Sequence, residues 1–415
     1  MSHTSPPVGT GPLMRREARL AWGLLSPTIF SVSLVVILPL LAIFWISFKP
    51  ITLSDLRAPA PIVREDLRGN PEVAGDEATL RYRLRNSSQD GEIRDVAFVD
   101  EIAEGLTLTG EVDDRCVLDG RMLTCTFGDW EPGYRETLAI PVTVDQAYLD
   151  ADISPSDRPA EVTGRATNPL TSFNFTFENF AAIFDGSEFW GVLGVTIFYT
   201  VFGTIGALVV GLFAALLLDK SFRGQGILRG LYLFPYVAPV IAVAFTWVML
   251  FDPFSGSANA LLMQMGVTEA PINFFGERPL ALIMVTVFEI WRYFPLSFLF
   301  ILARMQSIDS DMYEAADMDG ASPFQKFRYL SLPQLLGILS VLFLLRFIWT
   351  FNKFDDIFLL TGGNAGTRTL TVNVYEQAFA ISNIGAGAAV AVVIFACLIL
   401  FSFVFFRFMS QEEGL

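Results

Sequence analysis

Apolar residues gather in six long blocks, approximately 21 to 48, 190 to 218, 228 to 250, 280 to 303, 334 to 360 and 385 to 408, with polar segments between them. A helix crosses a bilayer in about 20 residues, so each block predicts one transmembrane helix. The first follows Arg15, Arg16 and Arg19, exceeds a signal-peptide core in length and has no small-residue cleavage site behind it, which makes it a retained anchor. Lys220, Arg223 and Arg229 lie in the second-to-third link, Arg304, Lys326 and Arg328 in or near the fourth-to-fifth link, and Arg407 at the end. The positive-inside rule places these in the cytoplasm together with both termini, and residues 51 to 170 outside. Pro235 and Pro239 break the hydrogen-bond ladder of the third block, which predicts an inward kink where protein or water serves the freed carbonyls. The fifth block carries Arg346, then Lys353, Asp355 and Asp356 before the Thr361-Gly362-Gly363 turn, so its outer end is expected to be wet.

The period changes from helix to strand between residues 79 and 145, as in Leu80-Arg81-Tyr82-Arg83-Leu84 and Ala139-Ile140-Pro141-Val142-Thr143-Val144. A small β-sandwich fits this alternation. Cys116 and Cys125 stand at hairpin distance in an oxidising compartment and are expected to form a disulfide, while neither their spacing nor their neighbours suit zinc. Cys397, inside the last block, is expected to pack. The predicted organisation is an N-terminal tail over 1–20, a first helix over 21–48, an all-β external insert over 51–170, a five-helix core over 173–408 and a tail over 409–415.

Composition supports a membrane protein: of 415 residues 53% are hydrophobic and 17% charged, and mean hydropathy is +0.49. The net charge of −15 is concentrated in the insert, where acids outnumber arginines by about two to one and lysine is absent. Nothing is basic enough for nucleic acid. No Gly-x-x-x-x-Gly-Lys-Ser/Thr loop is present, so the chain has no P-loop cradle for ATP, and Gly362-Gly363-Asn364-Ala365-Gly366 lacks the following lysine. The only histidine, His3, belongs to the terminal tail, which removes His-based triads, metal clusters and relays. Catalysis by this chain is not expected.

Between the fourth and fifth blocks lies a polar elbow over residues 309–333, longer than the roughly four to six residues a simple connection takes. Asp311 with Glu314 predicts one helix start, Gly320 a left-handed closure, and Ser322, Pro323 and Gln325 a capping box opening a second helix that Pro333 discourages from continuing. Ala315 and Ala316 leave one face nearly flat.

Glu314-Ala315-Ala316, Gly320 four residues on, and Leu332-Pro333 resemble the signature loop of ABC importer permeases, with Leu330 where that family has isoleucine. The resemblance runs over about 173 to 408 through Phe222-Arg223-Gly224, Leu233-Phe234-Pro235-Tyr236, Phe351-Asn352 and Leu360-Thr361-Gly362-Gly363, nearest to the sugar-uptake branch. It implies a type I importer fold and a coupling role for Tyr313, Glu314, Ala315, Ala316, Asp319, Gly320, Leu332 and Pro333 against a cytoplasmic ATPase. It further implies a second permease, two ATP-binding subunits that hold ATP and Mg, a periplasmic sugar-binding protein and a bacterial inner-membrane location. The stretch Arg346-Phe347-Ile348-Trp349-Thr350-Phe351-Asn352-Lys353-Phe354 resembles oligosaccharide permeases, and that resemblance implies α-glucosides such as maltose, trehalose or sucrose as cargo. Asn86, Asp100, Gly105-Leu106, Cys116, Cys125 and Pro132-Gly133 make the insert resemble an Ig-like repeat of bacterial surface proteins. It either steers a solute-binding protein or serves as a folded spacer, and both readings stand.

Tyr236, Trp291, Tyr293, Trp349, Thr350 and Asn352 supply the aromatic and planar polar groups that bind sugars, on helices that line the pathway in maltose-type members. Tyr236 coincides with a tyrosine of their sugar site. Glu289 and Arg292, three apart on one helical face, stand where those members have small or amide residues and can form an internal ion pair or meet cargo. A rival class is an ion- or proton-coupled carrier with Glu289 as coupling residue, for which the elbow has no use. A membrane-anchored sensor is another, but anchoring takes one span.

Overall fold

The computed structural model describes residues 12–89, 91–151, 155–186 and 188–412, so His3 and the outer parts of both expected tails lie outside the described residues. The chain divides into two compact units, Met1–Asn179 with Ile381–Gly385, and Phe180–Ala380 with Ala386–Leu415.

In the first unit the helix begins at Pro12, within the span expected to be a tail, and runs to Val32, through a π-helical turn Ser33–Ile37, and on as Leu38–Ser47. Pro39 follows that turn: its ring excludes the carbonyl four residues back, and the wider turn makes room without ending the helix. None of the apolar window of this helix is buried, as suits a lipid-facing rod.

The insert is two four-stranded antiparallel sheets. One is ordered β1 (Pro61–Arg68), β2 (Glu77–Asn86), β7 (Arg135–Val144), β4 (Leu106–Leu108). The other is ordered β5 (Cys116–Asp119), β6 (Met122–Trp130), β3 (Ile93–Glu101), β8 (Glu161–Arg165). Alternate residues of β2 and β7 point inward, Leu80 pairing with Ile140, and join Phe98, Leu123 and Trp130 of the other sheet in one core. Tyr82 stacks on Phe98 at 5.1 Å and donates its hydroxyl to buried Asp100 at 2.5 Å. Cys116 and Cys125 are cross-strand partners joined by the expected disulfide. Strands β1 and β8 lie outside the region where alternation was legible. Both are sheet edges: in β1 charged Arg64, Asp66 and Arg68 alternate with half-buried Val63 and Leu67 and buried Glu65, and β8 is exposed apart from half-buried Val162.

The second unit is helical. Among the described residues five helices of the chain are long and apolar enough to cross a membrane, or six if a bent pair counts as one span. That pair is the third block, Gln225–Val237 and Val240–Leu250, which meet at 90°. The fifth block differs from its expected limits. One rod runs over Pro323–Phe351, and the chain then breaks before a separate helix Asp355–Thr361. Pro333 does not stop this rod, because a π-helical turn Phe327–Ser331 again precedes the proline. The helices Glu188–Leu218 and Leu280–Met305 pack closely: a Cβ on Gly211 would stand 2.8 Å from the backbone nitrogen of Phe298, so only glycine permits the approach.

Candidate functional site

Two groupings carry the residues singled out by sequence. The first is the elbow. Its helix Ser310–Met318 is capped by Asp309, which accepts from the Asp311 amide at 3.1 Å; the expected cap, Asp311, lies in the first turn because Asp309 already holds the extended backbone a cap requires. At the far end Gly320 takes φ +77°, Ala321 donates to the Ala316 carbonyl at 2.9 Å and Gly320 to that of Asp317 at 3.0 Å, a Schellman closure. Ser322 and Gln325 form the reciprocal capping box, and Pro323 opens the next helix.

Polar pins hold this bend. Lys326 donates to Asp317 at 2.6 Å across it, Tyr313 and Ser331 share a hydroxyl contact at 2.8 Å, and Arg304 donates to the Gln334 carbonyl at 3.1 Å. Glu314, Ala315, Asp319, Gly320 and Pro333 are exposed, while Tyr313, Ala316 and Leu332 are half-buried. Sequence reasoning missed the apolar knobs beside them, Met318, Phe324 and Tyr329, exposed by 89%, 73% and 74%. Their signal was an apolar residue at a polar position of two short amphipathic turns. The elbow thus exposes Ala315 together with the apolar side chains of Met318, Phe324 and Tyr329.

The second grouping is a buried polar network inside the helical unit. Glu289 does not pair with Arg292; it accepts from Arg346 at 2.8 Å, Thr350 at 2.9 Å and Tyr199 at 3.0 Å. Gly203 leaves room for it, since a Cβ there would come within 2.9 Å of the Glu289 side chain. Arg292 instead donates to the carbonyls of Pro235 and Ala238, both at 3.1 Å, and lies 4.0 Å from Asp356. Lys353 donates to the Tyr293 hydroxyl at 2.5 Å and stands 3.8 Å from Asp356. The end of the fifth block expected to be wet is not uniformly so: Arg346 and Asp356 are buried and Lys353 is half-buried, while Asn352 and Asp355 are exposed.

The predicted pathway residues separate accordingly. Glu289, Arg292 and Thr350 lie in the network. Trp291 packs on Trp247, rings 5.4 Å apart, and Tyr293 carries Lys353 and Arg346 against its ring at 4.2 and 4.7 Å. Tyr236, 40% exposed, and Trp349, 51% exposed, present open surface with Asn352. Tyr236 meets Tyr293 edge-on at 6.1 Å. Two charges that sequence reasoning did not place in the site, Arg346 and Asp356, are its electrostatic partners.

Residues 207–412 match the family described as the binding-protein-dependent transport system inner membrane component. The inner membrane ABC transporter permease protein YcjO of Escherichia coli (strain K12) is 36% identical over 232 residues, 55% of this chain and 78% of that relative. The trehalose/maltose transport system permease protein MalF of Thermococcus litoralis is 31% identical over 230 residues, 55% of this chain and 77% of its own length. Among solved structures, a bacterial ABC transporter that imports the acidic polysaccharide alginate aligns with a TM-score of 0.52 at 18% identity, covering 57% of this chain and 86% of that one. The β insert lies outside the stretch that matches the family.

Proposed function

This chain belongs to the family of binding-protein-dependent transport system inner membrane components, and we propose from that premise that it carries an α-glucoside or related oligosaccharide. It is a permease subunit of a sugar ABC importer in the inner membrane, not an enzyme, and ATP hydrolysis belongs to separate subunits. The trehalose and maltose named for its relatives support the choice of cargo.

The proposed assembly joins this chain to a second permease, two ATPases and a periplasmic binding protein. Both termini face the cytoplasm, and residues 51–170 form an Ig-like periplasmic domain. Closure of the ATPases on ATP pulls the elbow, rocks the helices and opens a central cavity outward; hydrolysis resets it. Tyr236, Trp349 and Asn352 face the cargo, and Glu289 acts as a fixed structural anion rather than a coupling carboxylate.

The observation that carries this reading is the elbow, pinned at its base and exposed along Glu314, Ala315 and Gly320. A Cβ built at Gly320 meets nothing within 4 Å in this chain. Gly320→Trp should thus cost the folded chain only left-handed strain, about 1–2 kcal/mol, while filling the space a partner groove needs. The expected result is normal membrane level, loss of ATPase co-purification and loss of ATP-driven uptake. Normal uptake would refute the coupling role.

A further inference from the structure

The bend between Gln225–Val237 and Val240–Leu250 takes the carbonyls of the last turn off the helical ladder, those of Pro235 and Ala238 among them. The Pro235 carbonyl would be served by the amide of residue 239, but Pro239 has no N–H. The Ala238 carbonyl leaves the ladder because that residue turns to ψ 142°. An unserved carbonyl in a membrane interior is strongly destabilising, since no water is there to donate to it. Both are taken by one side chain from another helix, the two terminal nitrogens of Arg292, each at 3.1 Å.

Arg292 is suited to this. A guanidinium is a rigid planar fork that reaches two acceptors at once, which an ammonium does not. Its charge is balanced by Asp356, 4.0 Å away and 1% exposed, neither of whose carboxylate oxygens has a hydrogen-bond partner among the described residues. Asp356 therefore stands as a counter-charge to Arg292 and Lys353. Tyr236 occupies the last turn before the break, next to one of the two clasped carbonyls, so the angle of the bend sets where its ring and hydroxyl stand.

We propose that Arg292 is the clasp of the broken helix and a positioning residue for cargo, holding Tyr236 at the angle from which it meets a sugar. The second half of this proposal rests on the reading of Tyr236 as a cargo contact. The first half does not.

The test uses the complete transporter in lipid, with spin labels at exposed Leu231 and Met249 on the two arms of the bend, and trehalose or maltose delivered on the cognate binding protein. Arg292→Gln should broaden the label-to-label distance distribution and raise the uptake KM at least fivefold, with the maximal rate held within twofold. In a Tyr236→Ala background the same substitution should raise KM no further, since the side chain that Arg292 positions is gone. Arg292→Lys, which retains charge but loses the fork, should give the same broadening. If Arg292→Gln fails to assemble, Arg292→Gln with Asp356→Asn removes the matching negative charge and should restore assembly without restoring the narrow distance. An unchanged distance distribution overturns the clasp whatever transport does. A broadened distribution with unchanged KM overturns the cargo-positioning half and, with it, the role given to Tyr236.

Discussion

Glu289→Gln tests whether the buried network is architecture or coupling machinery. Glu289 and Arg346 have side chains 0% and 2% exposed, 2.8 Å apart. Removing one partner of such a pair strands the other charge, which costs about 3–5 kcal/mol. Glutamine keeps an oxygen that Thr350 and Tyr199 can donate to, so the lower end, roughly 3 kcal/mol, is expected. For a unit of this size that lowers the melting temperature by roughly 6–12 °C. The assay is thermal unfolding in detergent, paired with uptake at a temperature where the variant stays folded, with and without a protonophore. Uptake should persist and ignore the protonophore. Replacing both partners, Glu289→Leu with Arg346→Leu, should recover most of the lost stability, because two apolar side chains need no desolvation. If Glu289→Gln melts like the parent yet abolishes uptake, or if parental uptake follows the proton gradient, the carboxylate is a coupling group and the structural reading is wrong.

The insert allows two further predictions. Burial, with the charge of Asp100 adding to it, raises the Glu65 carboxyl to about 7, against a hydrogen bond from the Ala160 amide that opposes the shift. The folded insert holds this proton to a higher pH than the unfolded chain, so the associated stability is fully present below about 4.5 and is lost as pH rises through 7. The full swing is on the order of 3 kcal/mol. Hydrogen-exchange protection of the β2 amides, corrected for intrinsic rates, should fall between pH 5 and 8, and Glu65→Gln should flatten the trend; protection that rises with pH would contradict it. Separately, Cys116→Ser with Cys125→Ser opens a loop of sequence separation 9. The insert should lose roughly 2–3 kcal/mol, read as earlier proteolysis of residues 61–165, and unchanged proteolysis would mean the bond adds nothing.

Local chemistry made much of this molecule legible. The elbow's Schellman glycine and capping box depend on residues within six positions of each other, and Gly320, Ser322 and Gln325 stand as their spacing implied. Strand alternation likewise marked β2 and β7, because a period of two needs only neighbours. Sequence foresaw the break at Pro239 but not the continuation at Pro333, because a proline's effect depends on what surrounds it. Pro333 reads as a stop, yet a π-helical turn absorbs it, while Pro239 ends its helix at a right angle. Either outcome is open to a proline in a hydrophobic run; what differs is whether another element serves the freed carbonyl.

The amino-acid order alone determined the membrane character, the acidic all-β insert and the elbow, since each rests on composition or on spacings shorter than one helix. Tertiary structure alone decided the electrostatics. Glu289 has a base three residues away on its own helix, but its partner is Arg346, 57 residues on, and Arg292 turns to the Pro235 and Ala238 carbonyls. Spacing along one helix says which side chains share a face. Which helix opposes that face, and which backbone groups there lack a donor, is settled only by packing, where a buried charge or carbonyl must find its partner from whatever element lies against it.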